Sequence, residues 1–226
     1  MLFPDTETVP VAPGAVLFRG AVASQAFELL KRVNEVITQS PLRRVVTPMG
    51  KPMSVEMTNC GEVGCVSDRS GYRYERLDPK TGRPWPAMPE ILMEVARECA
   101  DRAGYAGFAP DACLVNRYSV GSKMGLHQDR DEVDFSQPIV SISLGLPITF
   151  NFGGDTRTAT TRKVRLEHGD AVVFGGESRL AFHGVGTLRR GEHPLTGNHR
   201  FNLTFRCGLL REFVLGDAKS PIPSPP

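Results

Sequence analysis

"RFNLTFR", residues 200–206, alternates strictly. Phe201, Leu203 and Phe205 fall on one side of an extended chain, and Arg200, Asn202, Thr204 and Arg206 fall on the other. If the phenylalanine side packs into a sandwich core, the arginine side lines a barrel's interior or mouth, where an unpaired charge is costly. Two guanidinium groups placed there need an anion. An organic dicarboxylate would serve, because a guanidinium offers carboxylate oxygens a planar fork of donors. The competing reading is a surface face that leaves both arginines in water.

The same period of two extends upstream. From Ala112 onward, "ACLVNRYSV", "IVSISLGLPITFNF", "KVRLEHG", "DAVVFG" and "RLAFHGV" read as short strands parted by Gly, Pro and Asp, as in an antiparallel sandwich or barrel. "VNRYS" places Asn116 and Tyr118 on one face, adding neutral donors to the arginine side.

Before Ala112 the periodicity is helical. Ser24 is expected to cap a helix with Phe27, Leu30, Val33 and Val36 or Ile37 on one stripe, ending near Gln39. A second helix is expected to open at Pro89, carry Ile91, Leu92, Val95, Ala96 and Cys99, and stop at Gly104. Residues 41–88, rich in Pro, Gly and polar side chains, read as irregular. There Tyr72, Tyr74 and Trp85 stand among Arg69, Arg73, Arg76 and Arg83. Such interleaving suits stacked bases and phosphates, and equally a loop pinned by buried rings.

Composition bounds the class. Of 226 residues, 40% are hydrophobic and 23% charged, which sets aside fibrous and wholly disordered chains. The net charge is only +2, yet residues 150–211 hold 10 basic and 5 acidic side chains, a local +5 that suits a polyanion. "MLFPDTETVPVAPG" lacks the basic start and apolar run of a secretory signal, and no stretch is long and apolar enough to span a membrane, so a cytoplasmic protein is expected. Five scattered cysteines without C-x-x-C read as reduced thiols.

The chemistry gathers at "LHQDRDE". In an extended segment His127 and Asp129 share a face, giving two ligands for a borderline divalent metal. For the third, His183 is the remaining histidine that falls inside an expected strand, with Ala181 and Val185 on its side. His168 sits at a turn and His193 and His199 in a loop, so these three read as surface residues. Two histidines and a carboxylate on a β-scaffold form a facial triad with open positions, suited to non-haem Fe(II) and O2. H-x-D alone is a weak signal. Glu132 and Asp134 are expected to be solvated acids.

Taken in order, "PDACLVNRY", "LHQDRDE", "SLGLP", "LEHGD", "GGESRL" and "RFNLTFR" resemble the bacterial AlkB family, over residues 51–206. The resemblance implies an α+β, mainly β chain: a double-stranded β-helix, or jelly roll, with buttressing N-terminal helices and a nucleotide-recognition lid. It implies Fe(II) and 2-oxoglutarate dependence, with O2 as co-substrate, and oxidative demethylation of N-methylated bases such as 1-methyladenine and 3-methylcytosine with release of formaldehyde. Carried over residue by residue, it makes His127, Asp129 and His183 the iron ligands, and Asn116, Tyr118, Arg200, Asn202 and Arg206 the 2-oxoglutarate site. Arg206 is expected on the distal carboxylate and Arg200 near the metal-bound end. Asp131 and Arg157 would contact the damaged base, with Tyr72 and Tyr74 in the lid. Cys65 departs from the pattern, standing where well-known members carry a base-stacking tryptophan.

The division expected is an N-terminal extension with the lid over 1–110, the β-helix core over 111–212 and a Pro-rich, disordered tail over 213–226, the first two packed as one domain. The partner implied is single-stranded or flipped-base alkylated DNA, or RNA, met by a monomer. Three rival readings stand beside this one, one of them a non-enzymatic nucleic-acid-binding module, which leaves the histidines unexplained. The same chemistry could act on RNA or a protein side chain, or the chain could be a non-catalytic, cupin-like metal-binding module, which leaves Arg200 and Arg206 unexplained.

Overall fold

The computed structural model describes residues 6–154 and 156–209, so the expected tail lies outside the described residues. Along the chain run β1 (Thr8–Ala12), β2 (Ala15–Phe18), α1 (Ala26–Gln39), β3 (Glu56–Gly61), β4 (Gly64–Asp68), β5 (Gly71–Glu75) and α2 (Glu90–Arg102). Then follow β6 (Ala112–Tyr118), β7 (Met124–His127), β8 (Ile139–Gly145), β9 (Ile148–Phe152), β10 (Arg162–Leu166), β11 (Ala171–Phe174), β12 (His183–Val185) and β13 (Arg200–Arg206).

The strands build a seven-stranded sheet, β1-β2-β11-β8-β13-β6-β3, a four-stranded sheet, β10-β9-β12-β7, and the hairpin β4-β5. This is the expected jelly roll, with one reversal. Phe201, Leu203 and Phe205 do not enter the space between the sheets; they share an outer cluster with Leu29, Val33 and Val36 of α1 and Leu92, Val95 and Cys99 of α2. Those helical stripes need a dry partner, and the sheet's outer face supplies it. The inner face, with Leu17, Leu114, Ile139 and Phe174, meets Phe150, Phe152, Val164 and Leu166 of the smaller sheet. Arg200, Asn202, Thr204 and Arg206 therefore point between the layers.

Several local expectations shift. Ser24 makes no cap: a 3-10 turn over Ala23–Gln25 leads directly into α1, whose N-cap is Gln25. Phe27 is 69% exposed, because α1's buried face runs through Ala26, Leu29, Leu30, Val33 and Val36 and leaves position 27 on its flank. Helix α2 ends as expected. Gly104 has φ +88, its N–H donates to the Asp101 carbonyl at 3.0 Å, and the Tyr105 N–H donates to the Ala100 carbonyl at 2.9 Å, closing a Schellman motif. In "RLAFHGV" only His183–Val185 is strand; the residues before it form a turn.

Residues 41–88 are less irregular than their composition suggests. Strand β3 pairs antiparallel with β6 in full register from Glu56↔Arg117 to Gly61↔Ala112, and β1 and β2 extend the far side of the same sheet. Trp85 is buried, donates from Nε1 to the Glu75 carbonyl at 2.9 Å, and lies 5.4 Å beneath the Arg43 guanidinium, so it pins the hairpin from below. No helix among the described residues is long and apolar enough to cross a membrane.

Candidate active site

Strands β12 and β7 pair antiparallel with His183 directly opposite His127, and the two rings stand 4.5 Å apart. Asp129 lies two residues past the end of β7, in no regular element, yet its carboxylate turns back between the histidines. Oδ1 is 3.6 Å from His127 Nε2, and Oδ2 is 3.7 Å from His183 Nε2. One ligand atom from each residue lies within 4.8 Å of the others. The ring orientations suit a metal. Nδ1 of His127 is 2.9 Å from the Gly125 carbonyl and Nδ1 of His183 is 3.0 Å from the Ala181 carbonyl. A carbonyl only accepts, so each Nδ1 carries the proton and each Nε2 lone pair faces the common point.

The electrostatics agree. Burial, then the neighbouring His127, push His183 down to about 4, so it is a neutral ligand at physiological pH. Burial opposes the charge on Asp129, but Arg206 above all and then the two histidines outweigh it and hold the carboxyl well below its ordinary range. Arg206 donates to Asp129 Oδ2 from Nη2 at 2.6 Å and from Nε at 3.0 Å.

Arg200 sits elsewhere. It is 1% exposed, lies 5.1 Å over the Tyr118 ring and donates from Nη2 to Ser143 Oγ at 2.9 Å. Its Nε and Nη1 are buried with no hydrogen-bond partner, and so is Asn116 Oδ1. The register explains this grouping: Tyr118 is the cross-strand partner of Arg200, and Asn116 that of Asn202. Asn202 is held by Ser141 Oγ at 2.8 Å and the Ile142 carbonyl at 3.1 Å. A buried guanidinium with two unsatisfied nitrogens beside neutral donors fits a ligand carboxylate.

The two arginines therefore stand in different surroundings. Arg206 stands against the metal carboxylate, and Arg200 lies away from it among neutral groups. Alternation had put both on one face without saying which end of β13 meets the triad.

A match to the 2OG-Fe(II) oxygenase superfamily covers residues 14–206. The Escherichia coli K12 protein named alpha-ketoglutarate-dependent dioxygenase AlkB is 52% identical over 207 residues, 91% of this chain and 96% of that one. The chain belongs to the AlkB family. A Caulobacter vibrioides AlkB homolog is 44% identical over 198 residues, 87% of this chain and 88% of its own. The solved structure of OsALKBH1 superposes with TM-score 0.78 at 29% identity, covering 89% of this chain and all of that one. As an AlkB dioxygenase the chain uses Fe(II), 2-oxoglutarate and O2 to demethylate nucleic acid oxidatively, and the triad and the partnerless Arg200 suit those two groups.

A cavity of ≈ 490 Å³ opens over the AlkB triad. The residues expected to meet the base all line it: Cys65, Tyr72, Tyr74, Asp131 and Arg157. Cys65 and Tyr74 are cross-strand partners in the β4-β5 hairpin. Burial pushes the Cys65 thiol up to about 12, so it presents a neutral wall. Arg157 is exposed at the rim, 5.6 Å from the Phe182 ring. Asp131 is exposed at the mouth, and partial burial followed by Glu132 raises its carboxyl above the ordinary range.

Glu132 corrects an expectation. It is not a solvated acid but 6% exposed, accepting from Tyr74 Oη at 2.6 Å and Arg179 Nη2 at 3.1 Å, with Arg206 Nε at 3.4 Å. Asp134 is the ordinary one, accepting from Ser136 at the start of a turn. His168 likewise is not simply a surface residue: its Nδ1 accepts from the Gly145 N–H at 3.0 Å, and its ring stacks 4.3 Å from His193. Sequence reading missed Arg179, buried at 3% exposure; it stands in "GGESRL", 47 residues after Glu132, and the fold brings the two together.

Proposed function

We propose that this chain repairs alkylated DNA by demethylating N-methylated bases such as 1-methyladenine and 3-methylcytosine, and that RNA carrying the same lesions is a second substrate. The observation that carries the reading is the buried His127–Asp129–His183 triad sharing one cavity with the partnerless Arg200 cation and with Asp131 at its mouth. His127, Asp129 and His183 would hold the iron. Arg200, with Tyr118, Asn116 and Asn202, would hold the distal carboxylate of 2-oxoglutarate, and Arg206 would orient the end nearer the metal. When bound, iron and 2-oxoglutarate with O2 supply the oxidant that hydroxylates the N-methyl group, which is lost as formaldehyde.

The chain's own residues then select the base. The cavity floor lies between two sheets, so a base reaches it only from a single strand or when flipped out of a duplex. Asp131 at the mouth attracts the positive charge that methylation places on adenine N1 or cytosine N3. Tyr72 and Arg157, both exposed and both lining the cavity, would contact the nucleotide. The protein is proposed to act as a monomer in the cytoplasm. The extension over 1–110 and the core over 111–212 act as one catalytic body, since hairpin β4-β5 supplies one wall and β7, β12 and β13 the others.

The test is direct. Purified protein with Fe(II) and 2-oxoglutarate is incubated with DNA and RNA oligonucleotides bearing 1-methyladenine or 3-methylcytosine, and demethylation is followed by mass alongside succinate. Loss of the methyl group with matching succinate is expected. Succinate formation with no demethylation of any oligonucleotide would overturn the substrate assignment.

A further inference from the structure

The β4-β5 hairpin forms a two-stranded sheet of its own, a unit that is marginally stable unless anchored. Its root is tied to the large-sheet side. Asn59 donates from Nδ2 to the Cys65 carbonyl at 3.1 Å and accepts from the Cys65 N–H at 3.0 Å, while Ser67 Oγ donates to the Val46 carbonyl at 2.7 Å. Across the cavity mouth the tie is Tyr74 Oη donating to Glu132 Oε1. Glu132 is in turn gripped by Arg179, whose Nη1 donates to the Asp129 carbonyl at 2.7 Å and whose Nε donates to the Gln137 carbonyl at 2.9 Å. One buried guanidinium thus holds residues 129, 132 and 137 of a single loop. That loop carries both the metal carboxylate and Asp131.

We propose that Tyr74, Glu132 and Arg179 form a latch that fixes the hairpin onto this loop and sets how tightly the nucleotide is held. The proposal rests on the substrate reading above. These are positioning residues: the Tyr74 hydroxyl is committed to Glu132 and Arg179 is buried behind the loop. The ring of Tyr74 has a second, independent determinant. It rests on Gly208, where a Cβ would meet Tyr74 Cδ1 at 2.6 Å. The backbone there cannot yield easily, since the Asp111 carboxylate accepts from the Gly208 N–H at 2.6 Å and the Leu209 N–H at 3.1 Å. A side chain at 208 would therefore displace the ring and break its bond to Glu132 while leaving Tyr74, Glu132 and Arg179 themselves unaltered in sequence.

The test uses iron-loaded enzyme and a single-stranded 3-methylcytosine oligonucleotide. Tyr74→Phe removes the latch hydrogen bond, one made to a charged group, so KM for the oligonucleotide is expected to rise about tenfold or more. KM for 2-oxoglutarate, read from its turnover without oligonucleotide, is expected to stay unchanged. Gly208→Ala is expected to give the same split, and the double variant to be no worse than either single one, because both break one bond. Glu132→Gln, which can still accept from Arg179 and donate to Tyr74 Oη, is expected to recover most of the KM lost in Glu132→Ala.

An unchanged oligonucleotide KM in Tyr74→Phe, additive effects in the double variant, or equal failure of Glu132→Gln and Glu132→Ala would overturn the latch. If Gly208→Ala does not fold, Tyr74→Phe and the Glu132 pair decide alone. If the wild-type enzyme demethylates none of the oligonucleotides, the substrate reading fails and the latch is judged by amide hydrogen exchange. Faster exchange over residues 64–75 in Tyr74→Phe supports it, and identical exchange overturns it.

Discussion

Replacing Arg200 with methionine should move stability and co-substrate binding in opposite directions. In the ligand-free protein this guanidinium is 1% exposed, with Nε and Nη1 unpartnered and no carboxylate in ion-pair reach among the described residues. Burial pushes its pKa down, the mark of a site hostile to the charge. Methionine keeps much of the length and removes the charge. The losses are one hydrogen bond to Ser143, about 1 kcal/mol, and the contact over the Tyr118 ring, about 0.5–2 kcal/mol. Against these stands relief of a buried, unpaired cation, and replacing buried ions with packed apolar side chains is often neutral or stabilising by about 1–4 kcal/mol. The ligand-free Tm is therefore expected to hold or to rise by a few degrees. Binding goes the other way. Truncating one partner of a buried charge pair costs about 2–5 kcal/mol, roughly a 30-fold to several-thousand-fold loss of 2-oxoglutarate affinity. Calorimetric titration of protein loaded with a redox-inert divalent metal, paired with thermal unfolding with and without 2-oxoglutarate, reads both. The wild type should gain Tm with ligand and the variant should not. Affinity within about threefold of wild type, or a ligand-free Tm several degrees lower, would show that Arg200 is a structural cation and would refute the reasoning.

Three further changes probe other parts of the site and its surroundings. Asp129→Ala removes the anion that Arg206 now holds, and should abolish tight Fe(II) binding; full metal occupancy by elemental analysis would remove Asp129 from the ligand set. Asp131→Ala should slow turnover of cationic 3-methylcytosine more than of neutral 1-methylguanine, because only the first gains from a carboxylate at the mouth. Equal losses would leave Asp131 a general positioning role. Away from the site, burial and then His193 lower the His168 pKa below its ordinary 6.5. A histidine depressed in the folded state binds fewer protons there than in the unfolded chain, so its stability contribution is complete above 6.5 and is lost as pH falls below it. His193→Gln should bring the NMR-monitored His168 titration back toward 6.5; an unmoved midpoint would assign the shift to burial alone.

How much of this was legible follows from what each signal encodes. Period two encodes faces, so "RFNLTFR" told which four side chains share a cavity and, with Asn116 and Tyr118 across the strand pair, which neutral groups stand beside them. It does not encode depth, so it could not say which arginine meets Asp129 and which lies over Tyr118 among neutral groups. Strand β3 escaped because "EMTNCG" looks polar, yet Thr58 and Asn59 are buried and spend their polarity on Ser40 and Cys65. Strand β1 escaped because of Pro10, which the free edge of a sheet tolerates. Cys65 was legible as a departure from the family pattern, and it lines the cavity together with Tyr72.

The acidic run "HQDRDEVD" held information that only charge balance could extract. Of its acids, Asp129 and Glu132 are buried, and two buried arginines from distant strands and turns, Arg206 and Arg179, meet them. Buried charges must be paired, so these four close among themselves. The other buried carboxylates are also answered: Asp78 by Arg43, Asp170 by Arg19, and Asp111 by the backbone amides of Gly208 and Leu209. Among the described residues this leaves Arg200 as the buried guanidinium that no carboxylate meets. A fold that tolerates one such cation, flanked by Tyr118, Asn116 and Ser143, retains it for an anion that arrives from outside. This is the ground for the proposal that the co-substrate's distal carboxylate meets Arg200, since Arg206 is already engaged by Asp129.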